Sequence, residues 1–185
     1  MTSEEAAMAV IDALEALHIP YMVGESLSSN YYGTARSTND ADFVVQLEVE
    51  LLSSVMNQLG PAFRLDPQMS FETVTMTRRH VLNVADIPFQ IELFHLSEDP
   101  HDQARFQRRR RVKLLDRKSN LPTAEDVIIT KLRWAKSNRS KDADDVRGVL
   151  AVQGDKIDWP YVYGWCDQRG TRVLLDEIRN SIPPL

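Results

Sequence analysis

Two aspartates one residue apart, Asp40 and Asp42, lead straight into the apolar run Phe43-Val44-Val45, and a further carboxylate stands inside Phe89-Gln90-Ile91-Glu92-Leu93. If both stretches are strands, their period of two puts Asp40 and Asp42 on one face, with Ala41 and Phe43 on the other, and Glu92 on the polar face of a neighbour. Strands placed side by side would bring the three carboxylates together. Like charges that close invite a cation. Hard oxygen ligands suit Mg²⁺ better than zinc, for which nitrogen or sulfur is expected. Upstream, the short apolar run Tyr21-Met22-Val23 stops at Gly24-Glu25-Ser26. A helix starting there would offer unpaired backbone N–H groups to a phosphate. Magnesium, a carboxylate triad and a phosphate-cradling turn are the equipment of phosphoryl or nucleotidyl transfer.

These residues need elements to carry them. Thr2 with Glu5 reads as a capping box opening a helix over residues 2–17, with Val10, Leu14 and Leu17 on its apolar face. A strand over 21–23, a helix over 26–32 ending at Gly33, a strand over 40–47 and a helix over 48–59 stopped by Gly60-Pro61 follow. Further strands are expected over 63–65, 71–76, 80–84 and 89–93, the last two as a hairpin across Ala85-Asp86-Ile87-Pro88. Beyond Thr123, which caps a helix with Asp126, the pattern is helical: a segment over 141–152 stopping at Gly154, one after Asp158 with Pro160 in its first turn, and one over 172–180. The order predicts an α+β protein, a mixed sheet flanked by helices over residues 1–118 and a helical subdomain over 119–185.

At 185 residues with a net charge of -5, the chain suits a compact globular protein and not a wholly basic nucleic-acid coat protein. Basic charge is concentrated locally. From Arg105 to Lys118 the only acidic residue is Asp116. Such a run is most often a solvated strand face or helix rim, and it is also a candidate surface for RNA or another polyanionic acceptor. Cys166 stands alone, which excludes an intramolecular disulfide and is expected to lie in the core. His18, His80, His95 and His101 show no ligand spacing. No apolar run approaches the ~20 residues of a membrane span, and the acidic start Met-Thr-Ser-Glu-Glu is unlike a signal peptide, so a cytoplasmic protein is expected.

Gly24-Glu25-Ser26 followed by Arg36-Ser37-Thr38-Asn39-Asp40-Ala41-Asp42-Phe43 resembles the signature of the polymerase-beta-like nucleotidyltransferase superfamily. Gly33, Arg36, Thr38, the later run Glu125-Asp126-Val127-Ile128-Ile129-Thr130-Lys131-Leu132-Arg133-Trp134 and Asp145-Val146 are similar to a bacterial branch, the AbiEii-like toxin nucleotidyltransferases and related stand-alone proteins. The resemblance implies a nucleotidyltransferase-like sheet and Mg²⁺-dependent transfer of an NMP from an NTP to a hydroxyl on RNA, protein or a small molecule. It also implies a cognate toxin or antitoxin partner. Asp40, Asp42 and Glu92 would then be the catalytic metal ligands, Gly24 and Ser26 the triphosphate contacts, and Lys131 a charge partner for phosphate. Arg36 would touch the substrate or hold its loop by salt bridges. Two positions depart from the family pattern: Glu25, where glycine or serine is usual, and Glu92, where aspartate is commoner. They motivate the alternative of a nucleotide- or partner-binding module that keeps the fold without catalysis.

Overall fold

The computed structural model describes residues 1–72, 74, 76–136 and 140–182. The chain divides into two compact units, one of Met1–Ser26 with Ser37–Leu121 and one of Leu27–Arg36 with Pro122–Leu185. The second unit thus takes in Leu27–Arg36, a stretch that chain order alone assigns to the front half.

In the first unit α1 (Ser3–Ala16) opens with the expected capping box: the Thr2 amide donates to Glu5 Oε2 at 2.7 Å and the Glu5 amide to Thr2 Oγ1 at 3.1 Å. β1 (Tyr21–Val23) leads to α2 (Glu25–Tyr32), which begins in this unit and ends in the other. β2 (Asp40–Val45), α3 (Val49–Leu59), β3 (Phe63–Leu65), β4 (Ser70–Glu72), β5 (Thr77–Val84) and β6 (Gln90–His95) follow. They form one sheet in the order β1-β2-β6-β5-β3, with β4 also on β5. Among the described residues only the β2–β6 pairing is parallel. Alternation decides the faces. Ala41, Phe43 and Val45 of β2, Ile91 and Leu93 of β6 and Leu82 of β5 are buried. On the opposite face Met22 and Val44 form a smaller apolar cluster with Phe106 and Leu96.

Residues 100–121 depart from expectation, because their charge hides two ordinary elements. α4 (Pro100–Arg108) is announced by Asp99-Pro100: the Asp99 carboxylate accepts from the amides of His101 at 2.9 Å and Asp102 at 3.3 Å. β7 (Arg110–Leu114) and β8 (Arg117–Leu121) form a hairpin in which Leu114 faces Arg117. Its two-residue loop, Leu115 and Asp116, has both residues at positive φ, 47° and 62°. That is the geometry for which Asn-Gly is the usual signal, and neither residue is present here. Of the strand expected over 71–76, Ser70–Glu72 is formed, and Thr73 and Thr75 lie outside the described residues.

The second unit packs α5 (Ala124–Ala135), α6 (Ser140–Gln153), α7 (Trp159–Arg169) and α8 (Arg172–Asn180) around Val127, Ile128, Leu132, Val146, Val149, Val162, Cys166 and Leu175. Cys166 is buried, as expected of a core residue. Gly33, just past α2, rests against α6: a Cβ there would lie 2.7 Å from the Val149 amide nitrogen and 2.8 Å from the Gly148 carbonyl carbon. Among the described residues no helix is long and apolar enough to cross a membrane.

Two substitutions test these local accounts. Leu115→Asn should raise the stability by roughly 0.5–1 kcal/mol, since a left-handed leucine costs about 1–2 kcal/mol that asparagine largely avoids. Gly33→Ala should lower it by about 1–3 kcal/mol, because its methyl meets backbone that cannot step aside. Both are read as shifts of the thermal midpoint.

Candidate active site

β2 and β6 start side by side and run the same way, with Asp40 opposite Gln90 and Asp42 opposite Glu92. In a parallel pair, partners share a face. Asp40, Asp42 and Glu92 therefore stand together on the face opposite Phe43 and Leu93, all three partly exposed. Thr38 orients the first of them: its hydroxyl donates to Asp40 Oδ1 at 2.7 Å. Glu92 is oriented from the other side, with Arg79 Nη1 at 3.1 Å from each of its oxygens. Among the described residues no three His, Cys, Asp or Glu side chains are gathered closely enough to hold a metal ion. The donor set is nonetheless one of hard oxygens, and Asp40 and Asp42 share a face of one strand.

The glycine of the Gly24-Glu25-Ser26 turn serves the aspartates first. Its amide donates to the Asp42 carbonyl at 2.6 Å. A Cβ at Gly24 would stand 2.4 Å from the Asp42 Cβ, so only glycine lets the chain leave β1 past Asp42. Helix α2 begins at Glu25, one residue before the expected start, and Ser26 is buried in its first turn. Glu25 is paired with Arg105, which also lies 2.9 Å from Asp102 Oδ1. Asp102 in turn accepts from the Ser97 hydroxyl at 2.5 Å. The glutamate of the turn expected to bind phosphate is thus matched by a buried guanidinium. Arg105 was the first residue of the basic run, and its charge is spent inside the protein.

The rest of that run is also largely matched within the first unit. Arg111 pairs with Glu15 at 2.8 Å, Lys113 with Asp116 at 2.8 Å and Arg117 with Asp12 at 3.1 Å, while Arg109 lies 4.1 Å over the Phe106 ring. Arg111 holds the Glu15 carboxyl below its ordinary range by hydrogen bonding, against a smaller opposing effect of burial.

Arg36 and Lys131 lie in the second unit and meet on one carboxylate. Arg36 Nε and Nη2 donate to Asp145 Oδ1 and Oδ2 at 2.6 and 2.8 Å. Lys131 Nζ stands 2.8 Å from Asp145 Oδ2 and 2.8 Å from Asp142 Oδ1. Burial pushes the Asp145 carboxyl up, but hydrogen bonds from Arg36 and Lys131 outweigh it and keep the group below the usual carboxylate range. Of the two roles open to Arg36, this geometry displays a salt bridge, to Asp145. Lys131 is buried and not a surface lysine of an amphipathic helix. Asp142 and Asp145 were not expected as site residues, although Asp145 lies in the family-like run; their three-residue spacing on α6 gave no sign of Lys131 on the preceding helix or of Arg36 far upstream.

No protein-family model matches the sequence, and no curated protein matches it either. Solved structures do. A crystal structure of ANT(2")-Ia in complex with adenylyl-2"-tobramycin superposes with a TM-score of 0.63 at 12% identity, covering 94% of this chain and 99% of that one. The solution structure of the antibiotic-resistance factor ANT(2'')-Ia gives 0.61 at 12% identity, with 94% of each chain covered. An antigenic nucleotidyltransferase-like protein from Paracoccidioides brasiliensis gives 0.56 at 13% identity, covering 100% of this chain and 95% of that one. At such identities it is the fold that is common. The mixed sheet with flanking helices is a nucleotidyltransferase-like fold.

Proposed function

We propose that the protein is a Mg²⁺-dependent nucleotidyltransferase that moves an NMP from an NTP to a hydroxyl. The observation that carries this reading is the parallel β2–β6 pair, which sets Asp40, Asp42 and Glu92 on one face of a nucleotidyltransferase-like fold. Asp40 and Asp42 would hold the metal. Mg²⁺ commonly takes one or two carboxylates from the protein and completes its shell with water and substrate phosphates, so two aspartates suffice. When bound, the ion supplies charge neutralisation on the triphosphate and makes the attacking hydroxyl more acidic.

The chain's own residues do the remainder. Thr38 keeps Asp40 turned to its place. The Gly24 turn carries the start of α2 close past Asp42, where backbone N–H groups favour phosphate. Glu25 does not oppose that phosphate, because Arg105 neutralises it. Glu92 receives the proton as the acceptor O–H bond breaks, the acceptor oxygen bonds to the α-phosphorus, the bond to the bridging oxygen breaks, and pyrophosphate leaves. Arg36 and Lys131, expected to meet phosphate, are both engaged on Asp145, and Lys131 would be available to a phosphate only if Asp142 or Asp145 gave up a bond.

For the acceptor, a hydroxyl-bearing small molecule is favoured by analogy of fold with ANT(2")-Ia, whose complex contains adenylyl-2"-tobramycin. RNA is less supported, since much of the basic run is paired within the chain. A toxin–antitoxin setting rests on the sequence resemblance alone, and its signature is growth arrest on expression that Asp40→Asn relieves.

The direct test is incubation of the protein with α-labelled NTPs, Mg²⁺ and a small-molecule extract. Wild type should label an acceptor, EDTA should abolish the reaction, and Asp42→Asn should reduce it by about a hundredfold or more, the upper end of what perturbing a metal site costs. Equal labelling by wild type and Asp42→Asn would overturn the assignment.

A further inference from the structure

His80 and His95 show no ligand spacing in the sequence, yet the fold brings them tip to tip. His80 on β5 stands opposite Leu93 on β6, so His95, two residues further along β6, is its diagonal neighbour on the same face of the sheet. That is the face of Leu82, Leu93 and Phe43, opposite the one that carries Asp40, Asp42 and Glu92. The two Nε2 atoms lie 3.1 Å apart, with ring centroids 5.1 Å apart and ring planes inclined at 54°. Both side chains are partly exposed, so an ion from solution can reach them. Their backbones are fixed by the β5–β6 ladder, and the Thr77 hydroxyl donates to the His95 carbonyl at 2.7 Å.

Two imidazoles in this position have two uses. One ring can donate its Nε2 proton to the other, or both can carry the proton on Nδ1 and turn two Nε2 lone pairs to a common point. A cation at the usual zinc–nitrogen distance needs the nitrogens about 2.9 Å apart at a right angle and about 3.3–3.4 Å apart in a tetrahedron. The observed 3.1 Å lies between these limits. Burial pushes both histidines below the ordinary imidazole range, and the Arg78 guanidinium adds to the effect. At neutral pH both rings therefore keep the lone pairs that a metal needs. Arg78 also works against any cation here, but it is exposed and its field is screened by water. Imidazole selects borderline transition metals and leaves Mg²⁺, which prefers oxygen, to carboxylates. We propose that His80 and His95 form a second cation site, a two-imidazole chelate for a borderline divalent transition-metal ion of the Ni²⁺, Cu²⁺ and Zn²⁺ class. Two protein ligands are fewer than the three or four of resident zinc sites, so water completes the shell and the ion is exchangeable. When bound, it ties β5 to β6.

The test is calorimetric titration of the untagged full chain with Ni²⁺. Wild type should bind one ion, and His80→Gln and His95→Gln should each bind it at least about tenfold more weakly, because either change removes the gain of two-point attachment. His18→Gln and Asp42→Asn should bind Ni²⁺ as wild type does, which separates the site from a stray histidine and from the carboxylate face. Cu²⁺ should bind more tightly than Ni²⁺, and excess Mg²⁺ should not compete. Ni²⁺ should also raise the thermal midpoint of wild type and leave that of the two glutamine variants unchanged. Should a glutamine variant fail to fold, wild type decides alone: Cu²⁺ should broaden the ring proton resonances of two histidines together, ahead of the other two. The proposal is overturned if wild type binds no Ni²⁺, if either glutamine variant binds it as tightly as wild type, or if Cu²⁺ broadens all four histidines alike; the two rings are then a hydrogen-bonded pair and nothing more. None of these readouts involves transfer to an acceptor, so the site stands or falls independently of the nucleotidyltransferase reading.

Discussion

The candidate site depends on the close crossing of Gly24 over Asp42. An amide-to-carbonyl hydrogen bond of 2.6 Å joins them, and there is no room for a β-carbon. Much follows from that contact. It sets where β1 ends, where α2 begins, and how near the first turn of α2 comes to the aspartate that β2 presents. The glycine expected to contact phosphate is in the first place a packing requirement. The carboxylate and the turn cannot be displaced separately.

A second theme is internal neutralisation. The chain has a concentrated basic run, yet several of its cations are matched by carboxylates brought from α1, α2 and α4. These matches differ greatly in worth. Arg117 with Asp12 and Lys113 with Asp116 are exposed pairs, of the kind that add little to stability. Arg105 with Glu25 and Asp102 is buried, where losing one partner leaves an uncompensated charge. The second unit repeats the buried form with Arg36, Lys131, Asp142 and Asp145. Net charge and charge density along the chain therefore say little about which cations remain for a ligand.

Legibility in the sequence varied with how local the cause was. The capping box of α1, the caps of α5 and α7 and the alternation of β2 and β6 depend on residues a few positions apart, and they were readable. Period two set Asp40 and Asp42 on one face, whereas Glu92 joins them through the β2–β6 register, which no local pattern gives. The β7–β8 hairpin was hidden because Leu115 and Asp116 adopt left-handed conformations without the residues that usually advertise them. α4 was hidden because a single buried aromatic, Phe106, anchors it amid charge. Pairings between distant segments, such as Glu25 with Arg105 and Arg36 with Asp145, leave no periodic trace. They had to be seen in three dimensions.

The parallel pairing of β2 with β6 also has a kinetic meaning. β5 and β6 are joined by a short connection, so they can pair early, and Arg79 can meet Glu92 as soon as they do. β2 reaches β6 only after α3 and three strands have been looped out, and contacts that close long loops are generally made later. Glu92 would then already have its guanidinium before Asp42 arrives alongside. An ion pair between neighbouring strands would thus form before the long-range parallel pair closes beside it.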